Sequence, residues 1–149
     1  MSQIEIFDKK LVKLHRERVK PGDRSLDFLV NEASVMLEDC LLDIDRVFEK
    51  VFEIDRFMEV LPNERREYDL VKSSLHLHFI NDLPGVLLQA RRLLKPDGFF
   101  IANMFGGETL KELRECFKEA DPDSLSPRIS PMLDVRDGGA LLQLSLIHI

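Results

Sequence analysis

The chain has 149 residues, 44% of them hydrophobic, which is enough for one domain with a buried core. Its formal net charge of −6 argues against a surface that neutralises phosphates, so we expect no nucleic-acid partner. No apolar stretch is long and uncharged enough to cross a bilayer, so we expect no transmembrane segment.

The N-terminal part of the chain predicts helices. Residues 9–20 have the pattern of a solvated helix, and residues 25–44 have apolar side chains at the spacing of one long amphipathic helix. Asp23 or Ser25 could cap the second of these. The side chains of the first helix expected to face inward are Leu11, Val12, Leu14 and Val19. Residues 1–46 therefore form a predicted N-terminal helical segment.

The two cysteines, Cys40 and Cys116, have no CxxC spacing, which argues against a disulfide scaffold or a thiolate metal site. Both lie among apolar residues at helical spacing. We expect buried free thiols, because a free cysteine behaves as a small hydrophobic residue.

Strand-like and helix-like segments alternate in the middle of the chain. Residues 47–54 are rich in β-branched and aromatic residues and predict a strand, and residues 68–74, YDLVKSS, are interpreted as a second strand. Residues 83–94 place their apolar side chains on one stripe and predict a helix, which Asp82 caps. KPDG at residues 95–98 has the composition of a turn.

The rest of the chain continues this alternation. Residues 99–105, FFIANMF, are nearly all apolar, as in a strand that is covered on both faces, and residues 106–121 predict a further helix. The apolar face of that helix consists of Leu110, Leu113, Phe117 and Ala120. Residues 122–131 resemble a loop, and a short helix is expected at 138–143. This order of elements predicts a parallel sheet in an α/β domain spanning residues 47–143.

Residues 68–114 resemble the second half of a class I S-adenosylmethionine-dependent methyltransferase domain, with an acid-containing strand, an amphipathic helix, RRLLKPDG and an apolar strand. SSLHLHFINDLPG, MFGGETLKELR and SPRISPMLDVRDGGALL are similar to the mitochondrial complex I assembly factor family and its α-proteobacterial relatives, as is the N-terminal IFDKKLVKLHRERV. The resemblance implies a partial Rossmann-like methyltransferase fold, with about three parallel strands, flanking helices and an N-terminal helical segment. It also implies S-adenosylmethionine as the parent cofactor and a complex I subunit as a protein substrate.

One part of the family pattern is missing. In the family, a strand like KVFEI leads into a glycine-rich loop around the cofactor, and the next strand ends in an acid that binds the ribose. Here only residues 55–67 separate the two predicted strands, whereas two further βα units would need about 60 residues at roughly 30 per unit. Residues 23–84 contain no glycine. We therefore expect an internal deletion, and we expect that this chain does not itself bind the cofactor.

The last six residues, LSLIHI at 144–149, are the codon-by-codon translation of a widely used transposon-end sequencing adapter, CTGTCTCTTATACACATC. The alternative is an ordinary alternating strand end. The first interpretation predicts a non-native tail and a parent protein that is truncated at this point.

Candidate site residues follow from the resemblance. It implies that Ser73, Ser74 and Leu75 border the adenosine and that His78 closes over it. The alternative for His78 is a half-buried histidine at a helix start. His76 and His78 with Asp82 could suggest a metal site, but no further ligand has recognisable spacing, so we expect no metal. The catalytic residues are not identifiable from the sequence.

Three functions remain open. The parent could hydroxylate or methylate a protein side chain in complex I assembly. This shortened form could be a non-catalytic protein-binding remnant that uses the helix in MFGGETLKELRECF. A carrier-protein O-methyltransferase of biotin synthesis has a similar second half and is the third possibility. We expect a bacterial cytoplasmic protein, with the mitochondrial matrix as the alternative.

Overall fold

A computed structural model describes residues 5–18, 27–55, 58, 61–123 and 128–145. Its helices are α1 (Lys9–Arg18), α2 (Phe28–Leu42), α3 (Leu83–Leu93), α4 (Lys111–Ala120) and α5 (Val135–Ser145). Its strands are β1 (Val51–Glu53), β2 (Tyr68–Ser74) and β3 (Leu94–Asn103), and a 3-10 helix spans Leu77–Phe79. The predicted caps Asp23 and Ser25 lie outside the described residues.

The three strands form one parallel sheet in the order β1-β2-β3. Val51 pairs with Leu70 across the first ladder, and Lys72 pairs with Ile101 across the second. Parallel neighbours require crossover connections, and α3 supplies the one between β2 and β3. The predicted partial Rossmann-like α/β fold, with three parallel strands and flanking helices, is confirmed.

Strand β2 is the centre of the core. Val71 is completely buried, and Ile54 and Leu61, which lie between β1 and β2, pack into the same cluster. Helix α3 adds its buried face, which consists of Leu87, Ala90 and Leu93. Full burial of a leucine or isoleucine side chain stabilises a fold by roughly 2 kcal/mol, so this cluster accounts for much of the stability.

Helix α3 begins and ends near the predicted positions. The Asp82 side chain accepts a hydrogen bond from the Gly85 backbone N–H at 3.0 Å, which satisfies one of the free donors of the first turn. Arg91 and Arg92 lie in the last turn, where positive charge interacts favourably with the negative end of the helix dipole. The predicted cap and helix are confirmed.

Strand β3 begins earlier than predicted. Tyr68 pairs with Leu94, but Leu70 pairs with Phe99, so KPDG forms a bulge within the strand instead of a turn before it. Side chains hold this bulge against the sheet, because Lys95 binds Asp69 and Arg46 binds Asp97. The prediction of a free turn at residues 95–98 was wrong for this reason.

Strand β1 is shorter than the predicted residues 47–54. It lies at the edge of the sheet and pairs only with β2, over the three positions Val51, Phe52 and Glu53. Val47 is exposed. A strand with one partner has hydrogen-bonding support on one side only, so β1 extends no further than the three positions that pair with β2.

The N-terminal helices and α4 bury less than their patterns predict. Helix α2 buries only Ala33 and Leu37, and α4 has no buried residue. Leu11 and Leu14 of α1 are exposed, contrary to the predicted inward orientation. Cys40 and Cys116 are free but exposed, so the predicted burial of both thiols was wrong. An apolar stripe specifies a face that could be buried, but a neighbouring element must be present to cover it.

Charged side chains hold the amino end of β2. Asp69 is only 8% exposed, and its carboxylate accepts hydrogen bonds from Lys95 Nζ at 2.8 Å and from the Lys50 backbone N–H at 2.9 Å. Arg46 lies 4.0 Å from the same carboxylate. The Lys95 hydrogen bond, followed by that of the Lys50 N–H, lowers the pKa of Asp69. Asp69 therefore has a structural role, at the end of the strand opposite the ligand crevice of parallel sheets.

We expect Asp69→Asn to lower the thermal midpoint at pH 7 by several degrees. The substitution replaces the largely buried carboxylate that pairs with Lys95 by a neutral amide. Glu67→Gln is the matched control, since the Lys50–Glu67 pair is exposed and should contribute little. Thermal unfolding followed by circular dichroism measures both. Equal midpoints for the two variants would contradict a structural role for Asp69.

Candidate functional site

The carboxyl ends of β2 and β3 meet a polar cluster on α2. Asn103, at the end of β3, donates from its amide to the Ala33 carbonyl at 2.7 Å and accepts from the Leu75 N–H at 3.0 Å. The Ser34 hydroxyl donates to the Ser74 hydroxyl at 3.0 Å. These bonds fix α2 over the edge of the sheet at which parallel α/β folds bind ligands.

Three of the four site residues predicted from the resemblance lie together at this edge. Ser73 and Ser74 end β2 and are buried, and Leu75 follows with a left-handed φ of 53°. The Ser73 hydroxyl lies 3.5 Å from the Ile54 carbonyl, to which it donates, and the Leu75 N–H also donates to the Asn103 carbonyl at 3.1 Å. The polar groups of these three residues are thus already engaged within the protein.

His78, the fourth predicted residue, lies in the 3-10 helix Leu77–Phe79 and is 7% exposed. Its ring packs against Phe79 and Phe105, with centroid distances of 4.0 and 4.9 Å. Both ring nitrogens are buried and have no hydrogen-bond partner among the described residues. Desolvation, with a smaller contribution from His76, lowers the pKa of His78 from 6.5 to about 4. The imidazole is therefore neutral at pH 7 and has unused donor and acceptor capacity.

Two asparagines in this region were not predicted. Asn103 links β3 to α2, as described above, and Asn81 holds the N-terminal segment: its side-chain oxygen accepts from the Ile6 and Phe7 N–H groups at 2.9 and 2.7 Å. The Phe7 ring also makes an edge contact with Phe79. The sequence signal for each asparagine was its position directly after an apolar run. Their partners could not be predicted, because Ala33 lies 70 residues from Asn103 and Phe7 lies 74 residues from Asn81.

The connection between β1 and β2 differs from the glycine-rich loop of the family pattern. No glycine lies between β1 and β2, and Ile54 and Leu61 of that connection are buried in the core. A connection that covers the core cannot also provide a loop of backbone N–H groups around a ligand. Within the described ranges, no group of three or more His, Cys, Asp or Glu side chains could hold a metal ion. No helix there is long and apolar enough to cross a membrane.

We expect stability to fall on acidification because His78 must remain neutral when folded. Its lowered pKa means that between pH 6.5 and about 4 the unfolded chain binds a proton that the folded chain does not. The stability that depends on a neutral His78 is fully present above about pH 6.5. This stability is lost as the pH falls, by about 2 kcal/mol at pH 5. Urea unfolding at pH 7.5 and pH 5 measures this loss.

His78→Leu should remove that loss and leave stability at pH 7.5 unchanged or higher, since an unpartnered buried polar group is replaced by an apolar one. His15→Gln, at an exposed position of α1, is the control and should keep the pH dependence of the original chain. An unaltered pH dependence in His78→Leu would show that another group is responsible.

Comparison with curated proteins gives relatives of more than one kind. The chain is 51% identical over 87 residues to the mitochondrial arginine-hydroxylase NDUFAF5 of Homo sapiens, a match that covers 56% of this chain and 25% of the relative. The Danio rerio protein of the same name is also 51% identical over 87 residues, and the match covers 27% of its length. Malonyl-[acyl-carrier protein] O-methyltransferase of Gallionella capsiferriformans is 38% identical over 80 residues, or 54% of this chain and 28% of the relative. The chain thus spans about a quarter of the length of the curated relatives it matches.

Part of the chain also matches the model of a protein family. Residues 36–102 match the methyltransferase domain, and this range contains β1, β2, α3 and nearly all of β3. The predicted site residues Ser73, Ser74, Leu75 and His78 lie within the matched range. Through this segment the chain is similar to the class I S-adenosylmethionine-dependent methyltransferases, with arginine-hydroxylases and carrier-protein O-methyltransferases among its relatives.

Proposed function

We propose that the chain is a segment of a methyltransferase-like protein and that Ser73, Ser74, Leu75 and His78 form one wall of its cofactor crevice. The observation that carries this is the buried imidazole of His78, both of whose nitrogens lack a partner among the described residues. A buried polar group without a partner is costly, and a function that uses it is a common reason for keeping it. The position also fits, since the crevice of parallel α/β sheets lies outside the carboxyl ends of the strands.

The parent protein, in this proposal, modifies a protein side chain during complex I assembly. The support is the 51% identity to proteins named arginine-hydroxylase, against 38% for the malonyl carrier-protein O-methyltransferase, which is the alternative within the superfamily. The proposal places the protein in a bacterial cytoplasm or a mitochondrial matrix, because the relatives come from both bacteria and eukaryotes.

The chain by itself does not hold the cofactor in this proposal, because it is internally shortened. The connection from Ile54 to Glu67 has no glycine, and its buried residues cover the core. The hydroxyls of Ser73 and Ser74 and the N–H of Leu75 have partners within the protein, and among these four residues it is His78 whose buried side-chain polar atoms have no partner in the described part of the chain. One imidazole is too few contacts to position a cofactor that carries both an adenosine and an amino acid.

Saturating S-adenosylmethionine should therefore leave the thermal midpoint of this chain unchanged, whereas a ligand present at 100 times its Kd would stabilise by about 2.7 kcal/mol. Differential scanning calorimetry with S-adenosylmethionine and, as the matched ligand control, adenosine alone measures the shift. Isothermal titration calorimetry checks for binding without a shift. A clear upward shift with the cofactor would contradict the proposed loss of the site.

A second candidate function, a non-catalytic protein-binding remnant, is favoured by one observation. Helix α4 has an apolar face that includes Leu113 and Phe117, and both side chains are exposed. An exposed amphipathic helix is a common element of protein recognition, because its apolar face can enter a groove on a partner.

This candidate predicts that the purified chain captures a complex I subunit without binding S-adenosylmethionine. Leu113→Glu combined with Phe117→Glu should abolish capture, whereas Lys118→Glu on another face of α4 should retain it. Pull-down from solubilised complex I subunits, quantified by mass spectrometry, provides the measurement. A chain that is recovered only as an aggregate, or equal capture by all variants, would count against a specific surface on α4.

A further inference from the structure

A short segment before helix α1 is fastened near His78 by a single side chain. This segment, residues 5–8, is called the strap. The Asn81 side-chain oxygen accepts from the backbone N–H groups of Ile6 and Phe7 at 2.9 and 2.7 Å. The amide of Asn81 also donates to the Phe7 carbonyl at 2.8 Å. One side chain thus pairs with the backbone of two consecutive residues, which fixes both the position and the orientation of the strap.

The strap and helix α1 form one unit. The Asp8 carboxylate accepts from the backbone N–H groups of Lys10 and Leu11 at 2.8 and 3.2 Å, which caps the first turn of α1. Helix α1 has no extensive contact with another described helix or strand. Within the described residues, the bonds to Asn81 are therefore a principal attachment of the strap and α1 to the rest of the protein.

Aromatic contacts connect the strap to the buried imidazole. The Phe7 ring makes an edge contact with the Phe79 ring, with the centroids 5.9 Å apart. Phe79 in turn lies against the His78 imidazole at 4.0 Å, and Phe105 lies against it at 4.9 Å. Phe79 is 41% exposed, whereas Phe105 is half-buried. Phe79 is therefore the ring between the imidazole and solvent, and the strap contacts this ring.

We propose that residues 5–8 act as a closing strap with Asn81 as its latch, and that the strap controls access to the His78 imidazole. With the latch closed, the Phe7 ring holds Phe79 against the imidazole. When the bonds to Asn81 open, Phe79 turns away and both ring nitrogens become accessible. The inference rests on the proposed function, because His78 belongs to the proposed cofactor wall and the strap would regulate access to it.

The latch is suited to opening as well as to closing. Ile6 is 59% exposed, and the hydrogen bond of its N–H to Asn81 lies at the surface. Water competes for such bonds, so the strap can open locally at much lower free energy than the whole fold. A strap with only a structural role would behave differently, since its release would leave Phe79 in place and His78 as well protected as before.

Carbethoxylation by diethyl pyrocarbonate, followed by peptide mass spectrometry, measures the access to each histidine. His15 of α1 is exposed and serves as the internal reference in every sample. We expect His78 of the original chain to react at least roughly tenfold more slowly than His15, because only molecules with an open strap react. Equal rates for the two histidines in the original chain would overturn the proposal.

Two variants release the strap from different sides of the contact. Asn81→Ala removes the latch, and Phe7→Ala removes the ring contact without a change in the 3-10 helix that contains His78. We expect Asn81→Ala to raise the His78 rate at least roughly tenfold, and Phe7→Ala to raise it by a smaller factor because the backbone bonds remain. Asn63→Ala, at an exposed asparagine between β1 and β2, is the matched control and should leave the rate unchanged.

Amide hydrogen exchange at Ile6 and Phe7 reports whether the strap has opened, and circular dichroism confirms that each variant is folded. Lost protection at both amides together with faster reaction of His78 is the expected result for Asn81→Ala. Lost protection with an unchanged His78 rate would overturn the strap, and unchanged protection would overturn Asn81 as its latch. No cofactor is present in this experiment, so a failure of the strap is distinguishable from a failure of the proposed cofactor wall.

Discussion

The described fold depends on the burial of its central strand. Strand β2 has a neighbour on each side, and Leu70 and Val71 are almost completely inaccessible to solvent. A strand in that position needs apolar cover as well as backbone pairing, because parallel sheets are stable only when water is kept from them. Helices α2 and α3 and the buried residues Ile54 and Leu61 provide that cover. The positions of the other strands follow from their pairing with β2.

The two ends of β2 differ in chemistry. The groups at the amino end stabilise the fold, whereas those at the carboxyl end include a candidate for ligand contact. At the amino end, the carboxylate of Asp69 has strong charged and backbone partners, and the pKa of Asp69 is lowered accordingly. At the carboxyl end, neutral hydroxyl and amide groups hold the strand to α2, and His78 remains buried without a partner. A satisfied network stabilises the fold, whereas an unsatisfied group lowers stability and is a candidate for ligand contact.

The exposed apolar faces and the open strand edge have a common physical cause. Helix α4 buries none of its residues, and β3 has only one strand neighbour. In both cases the local sequence is suited to burial, but the described residues cover it only in part.

The sequence alone determined the elements whose signals are local. The predicted strand at residues 68–74 has the same bounds as β2, and the period-3.6 pattern predicted α3 to within one residue. The cap at Asp82 was predictable because its partner Gly85 is three residues away. The alternation of strands and helices likewise predicted the parallel sheet. Ser73, Ser74, Leu75 and His78 could be placed after a strand by resemblance, but their present partners could not be predicted.

Tertiary structure decided what depends on distant residues. The bulge at residues 95–98 is held by Asp69 and Arg46, the end of β3 is tied to α2 through Asn103, and the enclosure of His78 is completed by Phe105. Cys40 and Cys116 are exposed because no described element covers their helix faces, which their own spacing could not indicate. Sequence periodicity specifies which side of an element is apolar. Only the packed chain decides whether that side is buried, because burial requires a second surface.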